Sequence, residues 1–114
     1  MGEAAAFAFA QLGASVAVAA RRRDRLDALT KRIADAGGEA YAIESDLCDG
    51  SQADAAIAQT VERFGRLDTL VNNAGVMLLG AIVDADVGEW QQMLDLNVNA
   101  LLRCTHAALP HLLK

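Results

Sequence analysis

Two alternating periodicities constrain this chain more than anything else in its sequence. A continuous small apolar run at Val16–Ala20 and two further strand-like segments at Ala40–Glu44 and Leu67–Val71 are separated by stretches whose apolar residues recur every three or four positions. Runs of about five small or β-branched residues suit strands covered on both faces. The intervening pattern is that of helices with one buried stripe. The resulting order is helix, strand, helix, strand, helix, strand, helix, with short connections. Such alternation implies a parallel sheet with helices on both faces, a doubly wound three-layer α/β fold. In an open sheet of this kind ligands bind beyond the carboxyl ends of the strands. The residues just after each run are therefore the ones to inspect for function.

Local signals place the helices. An Ala/Phe-rich buried helix is expected from about Glu3 to Leu12, closed by Gly13. Leu26, Leu29, Ile33 and Ala36 mark a second helix, stopped by Gly37-Gly38. Ser51 and Asp54 resemble a capping box at the start of a third, with Ile57, Val61 and Phe64 as its stripe and Gly65 at its end. Asp86 and Glu89 bracket the start of a long last helix. Its stripe reads Val87, Trp90, Leu94, Val98, Leu101, Thr105 and Ala108, and it is expected to end near Leu109, before Pro110.

Composition narrows the function classes. Of the 114 residues 54% are hydrophobic and 22% charged, enough apolar material for a core and too little charge for a disordered tail. Ten Lys and Arg against fifteen Asp and Glu give a net charge of -5, which argues against a broad nucleic-acid-binding face. Cys48 and Cys104 have no Cys or His partners at finger-type spacing, so no metal site is expected. Two free thiols fit a reducing compartment, and a cytoplasmic location is expected. Glu3 interrupts the basic start that a signal peptide needs, and the apolar run is too short to span a bilayer, so no membrane partner is expected.

The strand ends carry the chemistry. After Ala20 come Arg21 and Arg22, where dinucleotide-binding sheets that prefer a free ribose place an acid. Guanidinium groups fit a phosphate instead, and cations are poorly placed at a helix start unless an anion joins them. After the second run, Asp46 can accept an exocyclic amino hydrogen from adenine while Leu47 covers the ring; an ordinary Asx turn explains Asp46 equally well. The third run ends in Asn72-Asn73-Ala74-Gly75. Two carboxamides there can bond neighbouring main chain, and the small residues let a cofactor approach closely. Asn97 falls within the last helix, where its carboxamide competes with the helix's own bonds, and it needs partners if buried.

Leu67-Asp68-Thr69-Leu70-Val71-Asn72-Asn73-Ala74-Gly75 resembles the signature of the short-chain dehydrogenase/reductase family, and the resemblance extends along the whole chain. It implies a Rossmann-type fold and an NADP-dependent oxidoreductase that moves hydride between nicotinamide and a small alcohol or carbonyl substrate, with NAD the less favoured cofactor. It assigns Gly2 to the last glycine of the cofactor loop, Arg21 and Arg22 to the 2′-phosphate, and Asp46 and Leu47 to adenine. Asn73, Ala74 and Gly75 line the cofactor site, and Asn97 corresponds to the active-site Asn that holds a water in the proton relay. The full-length form is expected to be a homo-oligomer.

Two departures accompany the resemblance. The first strand and most of the Thr-Gly-x-x-x-Gly-x-Gly loop are not among these residues, and neither are the catalytic Ser and Tyr-x-x-x-Lys; the single Tyr, Tyr41, is followed four residues later by Ser45. The family's first strand lies between the runs at 16–20 and 67–71, so an incomplete sheet with unpaired inner edges is expected. Two readings follow. The chain is a partial domain of an oxidoreductase, inactive alone, or a non-catalytic nucleotide-binding or oligomerisation module of the same fold.

Overall fold

The computed structural model describes residues 1–114. Helix α1 spans Gly2–Gln11, strand β1 Ser15–Ala20, α2 Arg23–Asp35, β2 Glu39–Glu44 and α3 Gly50–Phe64. After a long irregular stretch and a short 3-10 turn at Ile82–Asp84, α4 (Val87–Leu94) runs through a π-helical segment at Asp95–Asn99 into α5 (Ala100–Leu112). β1 and β2 are parallel, with Val16 opposite Ala40 and Val18 opposite Ala42. The Ser45 N–H donates to the Ala20 carbonyl at 2.8 Å, so the two strands end side by side at one edge.

Side-chain alternation along the strands divides the layers. On one face Ala6 and Ala10 of α1 meet Leu29 and Ile33 of α2, and Val16, Val18 and Ala40 pack against this cluster. Gly38 sits so close to it that a Cβ there would lie 2.8 Å from Ile33 Cγ2. On the other face Arg63 of α3 stacks over the Tyr41 ring at 5.8 Å. α3 packs in turn on α5, burying Ala53, Ala56, Ile57 and Thr60 on one helix and Ala100, Cys104 and Ala108 on the other. Helices cover both faces of a parallel pair, as the alternation of periodicities requires.

Four expectations are corrected. Leu67–Val71 is not a strand: residues 66–80 make no backbone–backbone hydrogen bond at all, and Val71 is 53% exposed. The sheet contains β1 and β2 alone, so the segment has no neighbour with which to form a ladder, and a strand is defined by its partner. Ser51 is not the cap of α3. Asp49 is, accepting from the Ser51 N–H at 3.0 Å, while Asp54 pairs with Arg103 across the α3–α5 seam at 2.9 Å. The last helix passes through Pro110 and ends at Leu112. Its buried residues are Ala100, Cys104 and Ala108, whereas Leu94, Val98 and Leu101 of the expected stripe are exposed. The radius of gyration is 15.3 Å, larger than the roughly 13 Å of a compact domain of this length, and both edges of the two-stranded sheet are unpaired.

Candidate cofactor site

The expected site residues gather at the carboxyl edge in two groups. The first surrounds the ends of β1 and β2. Of the arginines between positions 21 and 25, Arg22 pairs with Asp24 at 3.6 Å, Arg23 with Asp27 at 3.0 Å and Arg25 with Glu3 at 2.9 Å. Arg21 has no acidic partner, so its guanidinium is free to bind an anion at the end of β1. Next to it, Asp46 heads an Asx turn: its Oδ1 accepts from the Cys48 N–H at 3.0 Å, and its own N–H donates to Gln52 Oε1 at 2.8 Å. The Cys48 thiol also hydrogen-bonds the Asp46 carboxylate. Leu47 is half-buried and Cys48 exposed. Desolvation pushes the Cys48 thiol up, the Asp46 and Asp95 carboxylates add to this, and Arg21 opposes it. Asp46, Asp95 and Arg21 are thus near enough for their charges to act on the Cys48 thiol.

The second group assembles around the Asn-rich segment. Asn72 Nδ2 donates to Thr105 Oγ1 at 3.1 Å, and that hydroxyl donates to the Leu101 carbonyl at 2.7 Å. Asn73 lies against the first residue of α1: a Cβ on Gly2 would come within 2.5 Å of Asn73 Nδ2. Gly75 faces Asn97, whose Oδ1 would be 3.1 Å from a Cβ at that position. At both glycines a carboxamide end approaches the main chain closely. Asn97 uses both ends of its side chain on one residue. Oδ1 accepts from the Val76 N–H and Nδ2 donates to the Val76 carbonyl, each at 2.8 Å. Asn97 is exposed rather than buried and lies within the π-helical segment, a form that concentrates at functional sites. The structure therefore brings Gly2, Asn73, Gly75 and Asn97 together, and Ala74 joins them through the chain without a polar contact of its own.

Two partners in this network were not singled out by sequence reasoning. Thr105 was assigned only to an apolar stripe, and Met93, whose sulfur accepts the Leu78 N–H at 3.4 Å, lies outside that stripe. The single available signal was a hydroxyl where the helix stripe called for an aliphatic side chain.

A family model described as short chain dehydrogenase matches residues 1–114. The chain belongs to the short-chain dehydrogenase family. It is 32% identical to a meso-2,3-butanediol dehydrogenase of Serratia marcescens, covering all of this chain and 45% of that protein. A solved short-chain dehydrogenase/reductase from Serratia marcescens superposes with a TM-score of 0.92 at 36% identity, over 96% of this chain and 45% of its own. A metagenomic short-chain oxidoreductase in complex with NADP gives a TM-score of 0.91 at 33% identity, over 96% and 50%. The chain thus spans about half the length of the short-chain dehydrogenases it matches. Short-chain dehydrogenases bind NAD(P) and act on small alcohol or carbonyl substrates. No helix of this chain is long and apolar enough to cross a membrane.

Proposed function

We propose that the chain is the nucleotide-binding part of an NADP-dependent short-chain oxidoreductase. When bound, the nicotinamide supplies or accepts a hydride at a carbonyl or alcohol carbon. The observation that carries the NADP preference is Arg21: it is the unpaired arginine of its cluster, and it follows Ala20 where a carboxylate would repel a 2′-phosphate. Arg22 adds a second guanidinium, weakened by its exposed contact with Asp24. The Asp46 carboxylate suits the adenine amino group, with Leu47 against the ring. Gly2 opens α1 toward the pyrophosphate, and Asn73, Ala74 and Gly75 line the path to the nicotinamide. Asn97 organises that path through Val76. With both carboxamide atoms committed, it offers a relay water its main chain rather than its side chain. A Ser and Tyr-x-x-x-Lys to move the substrate proton are not among these 114 residues, so the chain by itself binds nucleotide without turnover.

The test is a fluorescence titration of the 114-residue chain with NADPH and NADH. Tighter NADPH binding is expected. Arg21→Ala should remove about ten- to a hundredfold of NADPH affinity, the equivalent of a charge-assisted hydrogen bond, and leave NADH unaffected. Equal affinities for the two nucleotides would refute the preference.

A further inference from the structure

Residues 66–80 make no backbone–backbone hydrogen bond, so something other than a sheet fixes their path. Between Gly75 and Gly80 that role falls to two side chains of the last helix. Asn97 closes both polar groups of Val76, and the thioether of Met93 takes the Leu78 N–H at 3.4 Å. The spacings match. Residues four apart on a helix are separated by roughly 6 Å along its axis, and residues two apart on an extended chain by roughly 6.6 Å. One helix turn therefore offers acceptors at the interval of alternate residues on the loop.

We infer that Met93 is a positioning residue of the cofactor site, acting as a hydrogen-bond acceptor for Leu78 rather than as apolar filler. Leu78 and Met93 are both half-buried. The Leu78 N–H has no other acceptor in the chain, and an aliphatic residue at position 93 would leave it partly desolvated and unpaired, a costly state. Sulfur is a weak acceptor but a flexible one, on an unbranched side chain long enough to reach across. With Val76 and Leu78 held toward the helix, the alternate residues Met77 and Leu79 turn outward, 76% and 86% exposed. The clamp thus sets the line of the segment immediately beyond Asn72–Gly75. That this line serves a nucleotide rests on the function proposed above; the hydrogen bond itself does not.

The two claims separate in one set of variants. Met93→Leu keeps bulk and helix propensity but removes the acceptor. Met93→Gln keeps chain length and supplies a stronger acceptor at a cost in apolarity. Amide exchange at Leu78 is followed by NMR in the full 114-residue chain. Leu78 should exchange about fivefold faster in Met93→Leu, the loss of one ordinary hydrogen bond, and no faster than wild type in Met93→Gln. NADPH affinity should fall severalfold in Met93→Leu and recover in Met93→Gln. A filler role predicts the reverse order, and that order, or a Leu78 amide unprotected in the wild-type chain, overturns the inference. Exchange rates that follow the acceptor while NADPH affinity stays level in both variants would refute the link to the site. A wild-type chain that binds no NADPH would instead overturn the proposed function, with the exchange result unaffected.

Discussion

Gly38→Ala tests the packing that holds α1, and with it the Gly2–Asn73 contact, against the sheet. The new methyl would lie 2.8 Å from Ile33 Cγ2, 3.1 Å from Ala10 Cβ and 3.3 Å from the Ile33 carbonyl oxygen. Carbon pairs rest at about 3.5–4.0 Å, so roughly half an ångström must be found on two sides at once. Neither side yields easily. Ile33 has no exposed surface, and Ala10 belongs to the same buried cluster. Overpacking of this kind costs about 1–3 kcal/mol. Gly38 does not have a positive φ, so alanine returns about 0.4–1 kcal/mol by stiffening the unfolded chain. A net loss of about 1 kcal/mol is expected in urea denaturation. Gly37→Ala is the control: φ there is +85° with open space around it, so its cost of about 1–2 kcal/mol comes from the left-handed backbone. The remedies differ. Ile33→Leu moves the branch off Cβ and removes the Cγ2 that the new methyl meets. A double-mutant cycle of Gly38→Ala with Ile33→Leu should show a favourable coupling of about 1 kcal/mol, and the cycle with Gly37→Ala about zero. Additivity in both cycles would refute the steric account.

Two further outcomes are expected. Hydrogen bonds hold two carboxyls below the usual carboxylate range, Asp49 through Ser51 and Gln52 and Asp54 through Arg103. Because the folded values are the lower ones, this stability is complete above the unfolded carboxylate range and is lost as pH falls through it toward the folded values. Denaturation midpoints measured from neutral into strongly acidic solution should therefore fall, and Asp49→Asn and Asp54→Asn should each flatten the slope; an unchanged slope in both would contradict the assignment. Cys48 is exposed and Cys104 buried in the α3–α5 seam, and desolvation pushes both thiols up. A thiol reagent should modify Cys48 in the native state, faster at alkaline pH, and Cys104 only on unfolding. Equal native rates would show the seam to be open.

Helices that carry their own signals were legible in the sequence. α2 buries the Leu26, Leu29 and Ile33 that its period marks, and Gly65 ends α3 in a left-handed cap. Reading failed where structure depends on something distant or on a choice between near-equivalent neighbours. Leu67–Val71 has strand composition, but hydrogen-bond partners decide a strand, and none stands beside it here. Asp49 and Ser51 are both good caps, and local geometry chose the former. Pro110 forfeits its own bond to the His106 carbonyl, but only two helical residues follow it, so little of the helix is put at risk. The Asn-Asn-Ala-Gly string is specific enough to mark the family from sequence. The contacts that bind Gly2 to Asn73 and Asn97 to Val76 join positions far apart in the chain, which no local pattern records.

The π-helical segment at Asp95–Asn99 accounts for the misplaced stripe. In an unbroken α-helix, position 93 and position 104 fall within about 20° of each other around the axis. Here Met93 and Asn97 address the loop at the sheet edge, while Ala100, Cys104 and Ala108 address α3. The wider turn resets the helical phase between these two tasks, so that one rod serves two clients that do not lie on the same side of it. Wound as a regular α-helix with every residue kept, the same rod would bring positions 93 and 104 back onto one side. Either the loop or α3 would then face the wrong side chains, although every residue on both faces remained in the sequence.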